Sequence, residues 1–114
     1  MITLYGIPNC DTVRKARKWL DAKGLAYNFH DFRKDGADRY KIHAWVDEKG
    51  LGTVLNTRGT TYRQLSPAQK AEIDGGGAAA VMAANPAMIK RPVVEHSGGL
   101  LVGFSENRWE AALC

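Results

Sequence analysis

The chain predicts an α/β fold: a mixed four-stranded sheet with helices on both faces and an all-helical insertion. Three observations predict it. The opening reads strand, helix, strand within residues 2–32. The close reads as a hairpin followed by a capped helix over residues 92–114. Everything between carries helical patterning and turn residues but no alternating run. A strand–helix–strand opening makes its two strands parallel through a right-handed crossover, and a hairpin adds an antiparallel pair. At 114 residues the chain is one domain by size. The sheet core is expected at 1–34 and 87–114, with the insertion at 35–86.

Residues 2–5 are a short apolar run stopped by Gly6 and Pro8, the pattern of a buried strand. Residues 11–23 place Val13, Ala16, Trp19 and Leu20 on one helical face, with Gly24 as the stop. Residues 25–32 alternate from Tyr27 onward and read as a second strand. A polar turn follows at 33–36. Residues 38–49 predict a helix with Tyr40, Ile42, Trp45 and Val46 inward, ended by Gly50. Residues 51–65 are short and turn-rich. Ser66-Pro67 suits a cap and a first helical position. Gly75-Gly76-Gly77 breaks that helix, and residues 78–84 resume one that ends at Asn85-Pro86. The glycine triplet lacks the Lys-Ser/Thr and the spacing of a phosphate-binding loop. Residues 92–96 and 100–104 are strands joined through Ser97-Gly98-Gly99, and Ser105 caps the last helix. With the insertion removed, this element order is that of a thioredoxin-like core.

Cys10 carries the chemistry. It follows Pro8-Asn9 and precedes the first helix, where backbone N–H groups lack intrahelical partners and the helix dipole is positive. Both effects favour the thiolate, which is the nucleophilic form. Asp11 opposes them by its charge, and Arg14 offsets Asp11 if its side chain folds back. The only other cysteine, Cys114, is far away in sequence, and no CxxC pair exists because Val13 follows Cys10 by three. This is neither a disulfide framework nor a metal cluster. Cys114 is either an adventitious terminal thiol or a resolving thiol on a tail. His30, His43 and His96 lack metal-ligand spacing.

Composition bounds the partners. Hydrophobic content of 45% and charged content of 25% are ordinary for a globular domain. No apolar run reaches the roughly 18 residues of a membrane span, and the first residues lack a signal-peptide pattern. The cytoplasm is therefore the expected compartment. A net charge of +4 is spread along the chain, so nucleic acid is not expected as a partner. Most charges of the densest basic run, residues 14–18, are expected to face water. Asn56-Thr57-Arg58-Gly59 reads as a turn or as a ligand loop.

Three segments resemble the ArsC/Spx/YffB group of thioredoxin-like proteins across essentially the whole chain. They are residues 4–16 around Asn9-Cys10-Asp11, residues 54–65 around Asn56-Thr57-Arg58-Gly59, and residues 85–94 around Lys90-Arg91-Pro92. The resemblance implies that Cys10 is the redox nucleophile and that Arg14 and Asn9 belong to its loop. It implies that Arg91-Pro92 is a cis peptide facing Cys10 that aligns glutathione, with Arg91 supplying positive charge. Arsenate reductases of this group carry a His where Gly6 stands and arginines where Asn56 and Gly103 stand; Arg58 is the candidate substitute beside Asn56. Spx regulators carry a CxxC pair. The implied activity is a monothiol, glutathione-dependent thiol reductase of the YffB type. The implied co-substrate is glutathione, with no bound cofactor and no metal; the partners are a small or protein disulfide and, as a candidate, glutaredoxin. Arsenate reduction and an Spx-like binding module are the alternatives.

Overall fold

A computed structural model describes residues 1–114. The chain divides into two compact units, Met1–Asp35 with Arg91–Cys114, and Gly36–Lys90.

The first unit holds a four-stranded sheet in the order β2-β1-β3-β4. Its strands are β1 (Ile2–Gly6), β2 (Tyr27–Asp31), β3 (Val93–His96) and β4 (Gly99–Val102). β1 runs parallel to β2, with Leu4 opposite Phe29, and antiparallel to β3, with Leu4 opposite Val94. β3 and β4 form the predicted hairpin. Helices α1 (Asp11–Ala22) and α8 (Glu106–Leu113) cover one face. There Leu4 and Val94 from the sheet meet Val13, Ala16 and Leu20 from α1 and Trp109 from α8, all fully buried. Burying each large apolar side chain contributes roughly 1.5–3 kcal/mol. On the other face Phe32, in the single-turn helix α2 (Phe32–Asp35), stacks at 6.1 Å on Tyr5. The fold is thus the mixed four-stranded α/β sheet with helices on both faces.

One expectation in this unit changes. Residues 32–35 form a helical turn rather than an open one, because Asp31 Oδ1 accepts the Arg33 N–H and Asp35 Oδ2 accepts the Asp31 N–H. Most charges of the basic run face water as expected, Arg14, Lys15 and Lys18 among them; Arg17 is half-buried, its guanidinium 4.2 Å over the Phe29 ring and its Nε donating to the Tyr27 hydroxyl. Its stem and planar head cover apolar surface that lysine would cover less well.

Lys23, just past α1, and Glu110 on α8 form an exposed ion pair at 2.9 Å. This hydrogen bond raises the Lys23 pKa and, with help from Cys114, lowers that of Glu110. A depressed carboxylate stabilises the fold above its unfolded-state value, and that stability is lost as pH falls through the folded value. A raised lysine stabilises below its unfolded value and loses that as pH rises through the folded one. Comparing urea midpoints of the parent and Glu110→Gln should therefore show a small deficit at neutral pH. The deficit should close in acid below the ordinary carboxylate range, close again above the ordinary lysine value, and shrink in molar salt. A deficit independent of pH would contradict this.

The second unit is helical: α3 (Arg39–Lys49), α4 (Leu51–Val54), α5 (Thr60–Arg63), α6 (Pro67–Glu72) and α7 (Ala78–Ala84). Asp38 caps α3, and Ser66 forms a reciprocal capping box with Gln69 at the start of α6. The helix breaks in the glycine triplet, where Gly76 sits at φ +97. α3 packs on α7. Ile42 and Trp45 are buried, but Tyr40 is 72% exposed, contrary to the predicted inner face. Tyr40 lies two residues before Ile42, about 200° round the helix, so the two cannot share a face.

Residues 87–90 belong with this helical unit rather than with the sheet. The Asn56 N–H donates to Met88 O at 2.7 Å and the Lys90 N–H donates to Val54 O at 2.8 Å, bracketing an antiparallel bridge between Leu55 and Ile89. The boundary therefore falls at Arg91, where 87 was expected. No helix is long and apolar enough to cross a membrane.

Candidate active site

The strand directions gather the candidate residues of the first unit at one end of the sheet. β1 delivers the chain at Gly6 into the loop 7–10. Because β1 and β3 are antiparallel, with Tyr5 opposite Val93, Arg91 and Pro92 enter β3 at that same end. The Arg91–Pro92 peptide is cis.

Cys10 is the N-cap of α1, with extended backbone (φ −95, ψ 127). Its N–H donates to Ile7 O at 3.4 Å, closing the loop, and its carbonyl accepts the Arg14 N–H at 2.9 Å, starting the helix. The side chain makes no capping hydrogen bond. It is half-buried, packed against the Leu4–Val13–Ala16 core on one side and open on the other. Gly6 has a packing reason: a Cβ there would lie 2.8 Å from Val13 Cγ2, so no side chain fits without moving the α1 core.

Arg14 does fold back. It forms an ion pair with Asp11, both exposed, and cancels the charge that opposes a thiolate at Cys10. Arg14 is therefore occupied. Asn9 is exposed beside Cys10. Arg91 is half-buried and has no hydrogen-bond or ion-pair partner within the chain.

Arg58 belongs to the helical unit. With Lys90, Asn56, Thr57, Gly52 and Leu55 it lines a cavity of about 320 Å³ that contains two cationic side chains and no acidic one. Asn56 builds the loop: its Oδ1 accepts the Arg58 N–H at 3.2 Å, and its Nδ2 would stand 3.0 Å from a Cβ at Gly59. The Asn56 turn and the ligand-loop reading of Arg58 are thus compatible.

The two thiols are separated by α1. The Cys114 N–H donates to Glu110 O at 3.1 Å, and Glu110 is paired to Lys23 just past the C-terminal end of α1, while Cys10 stands at its N-cap. A 12-residue helix is about 18 Å long, against a limit of roughly 7 Å between the Cα atoms of a disulfide. Cys114 cannot resolve a Cys10 adduct in this arrangement. The histidines have other partners: His30 stacks on Tyr5, His43 pairs with Asp47, and His96 Nδ1 accepts the Gly98 N–H in the hairpin turn. No group of three or more His, Cys, Asp or Glu residues is placed to hold a metal ion.

One residue at this end of the sheet escaped the sequence analysis. Arg108, in the first turn of α8, extends its guanidinium over Gly103, at 3.8 Å from where a Cβ would stand. Its sequence signal was only a basic residue after a Ser cap, which does not reveal where the side chain points.

The model of the ArsC family matches residues 5–112. A solved structure named as the YffB protein is 50% identical, covers 100% of both chains and superposes with a TM-score of 0.94. An arsenate reductase (ArsC) related protein from Brucella melitensis is 42% identical over 96% of this chain and 92% of its own, with a TM-score of 0.73. An uncharacterised protein from Haemophilus influenzae is 42% identical over 98% of each chain. Because the family model spans residues 5–112 and a relative is 42% identical over 98% of the chain, the chain belongs to the ArsC family.

Proposed function

We propose that the protein is a glutathione-dependent thiol–disulfide oxidoreductase working through Cys10 alone. The observation that carries this is the position of Cys10: an uncapped, half-exposed thiol at a helix N-terminus, with no second cysteine within reach. The first N–H groups of α1, which lack intrahelical partners, lie beside it. A site without a resolving cysteine needs an external thiol to complete a cycle.

The exchange proceeds in two steps. The Cys10 thiolate attacks the glutathionyl sulfur of a mixed disulfide; a Cys10–glutathione bond forms, the original S–S bond breaks, and the substrate leaves as a thiolate that takes up a proton. A second glutathione thiolate then attacks the glutathionyl sulfur on Cys10, releasing glutathione disulfide and restoring the Cys10 thiolate. In sum, the mixed disulfide and one glutathione become the substrate thiol and glutathione disulfide: the substrate sulfur gains the one electron that the incoming glutathione sulfur loses, and the proton released by that glutathione goes to the substrate thiolate. The backbone at Arg91, before Pro92, pairs with the glutathione peptide, and the unpartnered Arg91 guanidinium receives a carboxylate. Asn9 lines the approach. Arg14 serves mainly by neutralising Asp11, and Arg58 with Lys90 forms an anion-suited cavity of the helical unit itself. Glutathione belongs to the cytoplasm, where thiols are kept reduced, and a protein disulfide or glutaredoxin would be the larger partner. Arsenate reduction is less well supported, since Arg91 is the one cation at the three positions that arsenate reductases of the group fill with arginine.

Incubating the protein with glutathione disulfide and mapping the adduct by mass spectrometry tests this. One glutathionyl group is expected on Cys10, removed by excess glutathione. Modification confined to Cys114 would overturn the proposal.

A further inference from the structure

We propose that Arg108 is a specificity-determining cation of the Cys10 site, selecting disulfides that carry a carboxylate remote from the reacting sulfur. This rests on the thiol–disulfide reading above and names the substrate class it serves.

Three hydrogen bonds hold Arg108 at the active end of the sheet. The Gly103 N–H donates to Pro92 O at 2.8 Å, tying the end of β4 to the loop that carries Arg91. Trp109 Nε1 donates to Gly103 O at 3.0 Å, tying the first turn of α8 to the same residue. Ser105 Oγ accepts the Arg108 N–H at 3.4 Å. Gly103 itself sits at φ +78, a conformation L side chains rarely adopt, so the space above it stays open and the Arg108 guanidinium occupies it.

The guanidinium is uncommitted. Its one contact is Nη2 to the Val102 carbonyl at 3.4 Å, a long bond to a neutral acceptor. It makes no ion pair: Glu110, two residues on and about 200° round the helix, is paired to Lys23. Arg91, also unpaired, stands just before β3, the strand between β4 and β1. Among nearby carboxylates Asp11 is neutralised by Arg14, Asp31 lies on the opposite edge strand, and Glu106 is exposed on α8. Two unpaired guanidinium groups thus follow Cys10 across the sheet end.

Spacing sets the substrate class. β4 is two strands from β1, about 10 Å at the usual strand separation. A short disulfide bound at Cys10 does not reach that far. A peptide-like thiol does, presenting a carboxylate to Arg108 while its sulfur meets Cys10. Carboxylate bound by guanidinium is a strong, bidentate, charge-assisted contact.

The test measures rates of Cys10 adduct formation in a Cys114→Ser background with two disulfides: glutathione disulfide, long and anionic, and 2-hydroxyethyl disulfide, short and neutral. The parent is expected to prefer glutathione disulfide. Arg108→Ala should reduce that preference about tenfold, and Arg108→Lys should restore part of it. Arg108→Gln, which keeps the stem and a donor toward Val102, replaces the alanine variant if the latter does not fold. An unchanged preference, or equal slowing of both reactions, overturns the proposal and leaves the Cys10 mechanism standing. A parent that forms no adduct with either disulfide defeats both.

Discussion

Replacing Cys10 with serine is expected to remove glutathione-dependent turnover, by roughly a thousandfold or more on the scale seen when a covalent nucleophile is deleted. The fold should survive the change, and that gives the experiment its force. Cys10 occupies the N-cap of α1 without capping it. Serine is among the best residues at that position, and a working cap is typically worth about 1 kcal/mol. Cys10→Ser should therefore unfold at the same urea concentration as the parent or a higher one. An inactive variant with undiminished stability identifies a residue kept for chemistry at some expense to the helix. An inactive and unstable variant would instead make Cys10 a packing residue. Full turnover in the variant would remove the basis for a Cys10 mechanism.

Trp109→Ala is expected to be the most damaging single change to the sheet unit. The indole is fully buried. It meets the rings of Phe104 at 4.9 Å and Trp19 at 5.9 Å, both edge to face, and completes the core around Leu4, Leu20 and Val94. Truncating a buried tryptophan costs about 3–5 kcal/mol, a large part of the roughly 5–15 kcal/mol that holds a domain together. The Gly103 carbonyl would also lose its Nε1 donor, and that bond helps to hold Arg108 at the sheet end. Urea unfolding should show the full destabilisation. Trp109→Phe should recover most of the packing while still lacking the hydrogen bond. A loss below about 1 kcal/mol for the alanine variant would mean that the core closes over the gap.

Local chemistry was legible in the sequence because it acts over a few residues. The period of Val13, Ala16 and Leu20, the Ser66-Pro67 start and the Ser105 cap each depend on neighbours within one turn, and each appears where the pattern places it; the hairpin turn does too, though it is only Ser97-Gly98, with Gly99 already paired to His96 in β4. The location of Cys10 at a helix start follows from the same short-range rules. Tertiary structure decided what depends on distant partners. It put residues 87–90 with the helical unit through hydrogen bonds to Val54 and Asn56. It separated Cys114 from Cys10 by the length of α1, and it turned Arg108 toward Gly103 at the sheet end that carries Cys10. A sequence records which side chains are cations. Whether a cation is neutralised, as Arg14 is by Asp11, or left unpaired, as Arg91 and Arg108 are, depends on which carboxylates the folded chain brings within a few ångströms.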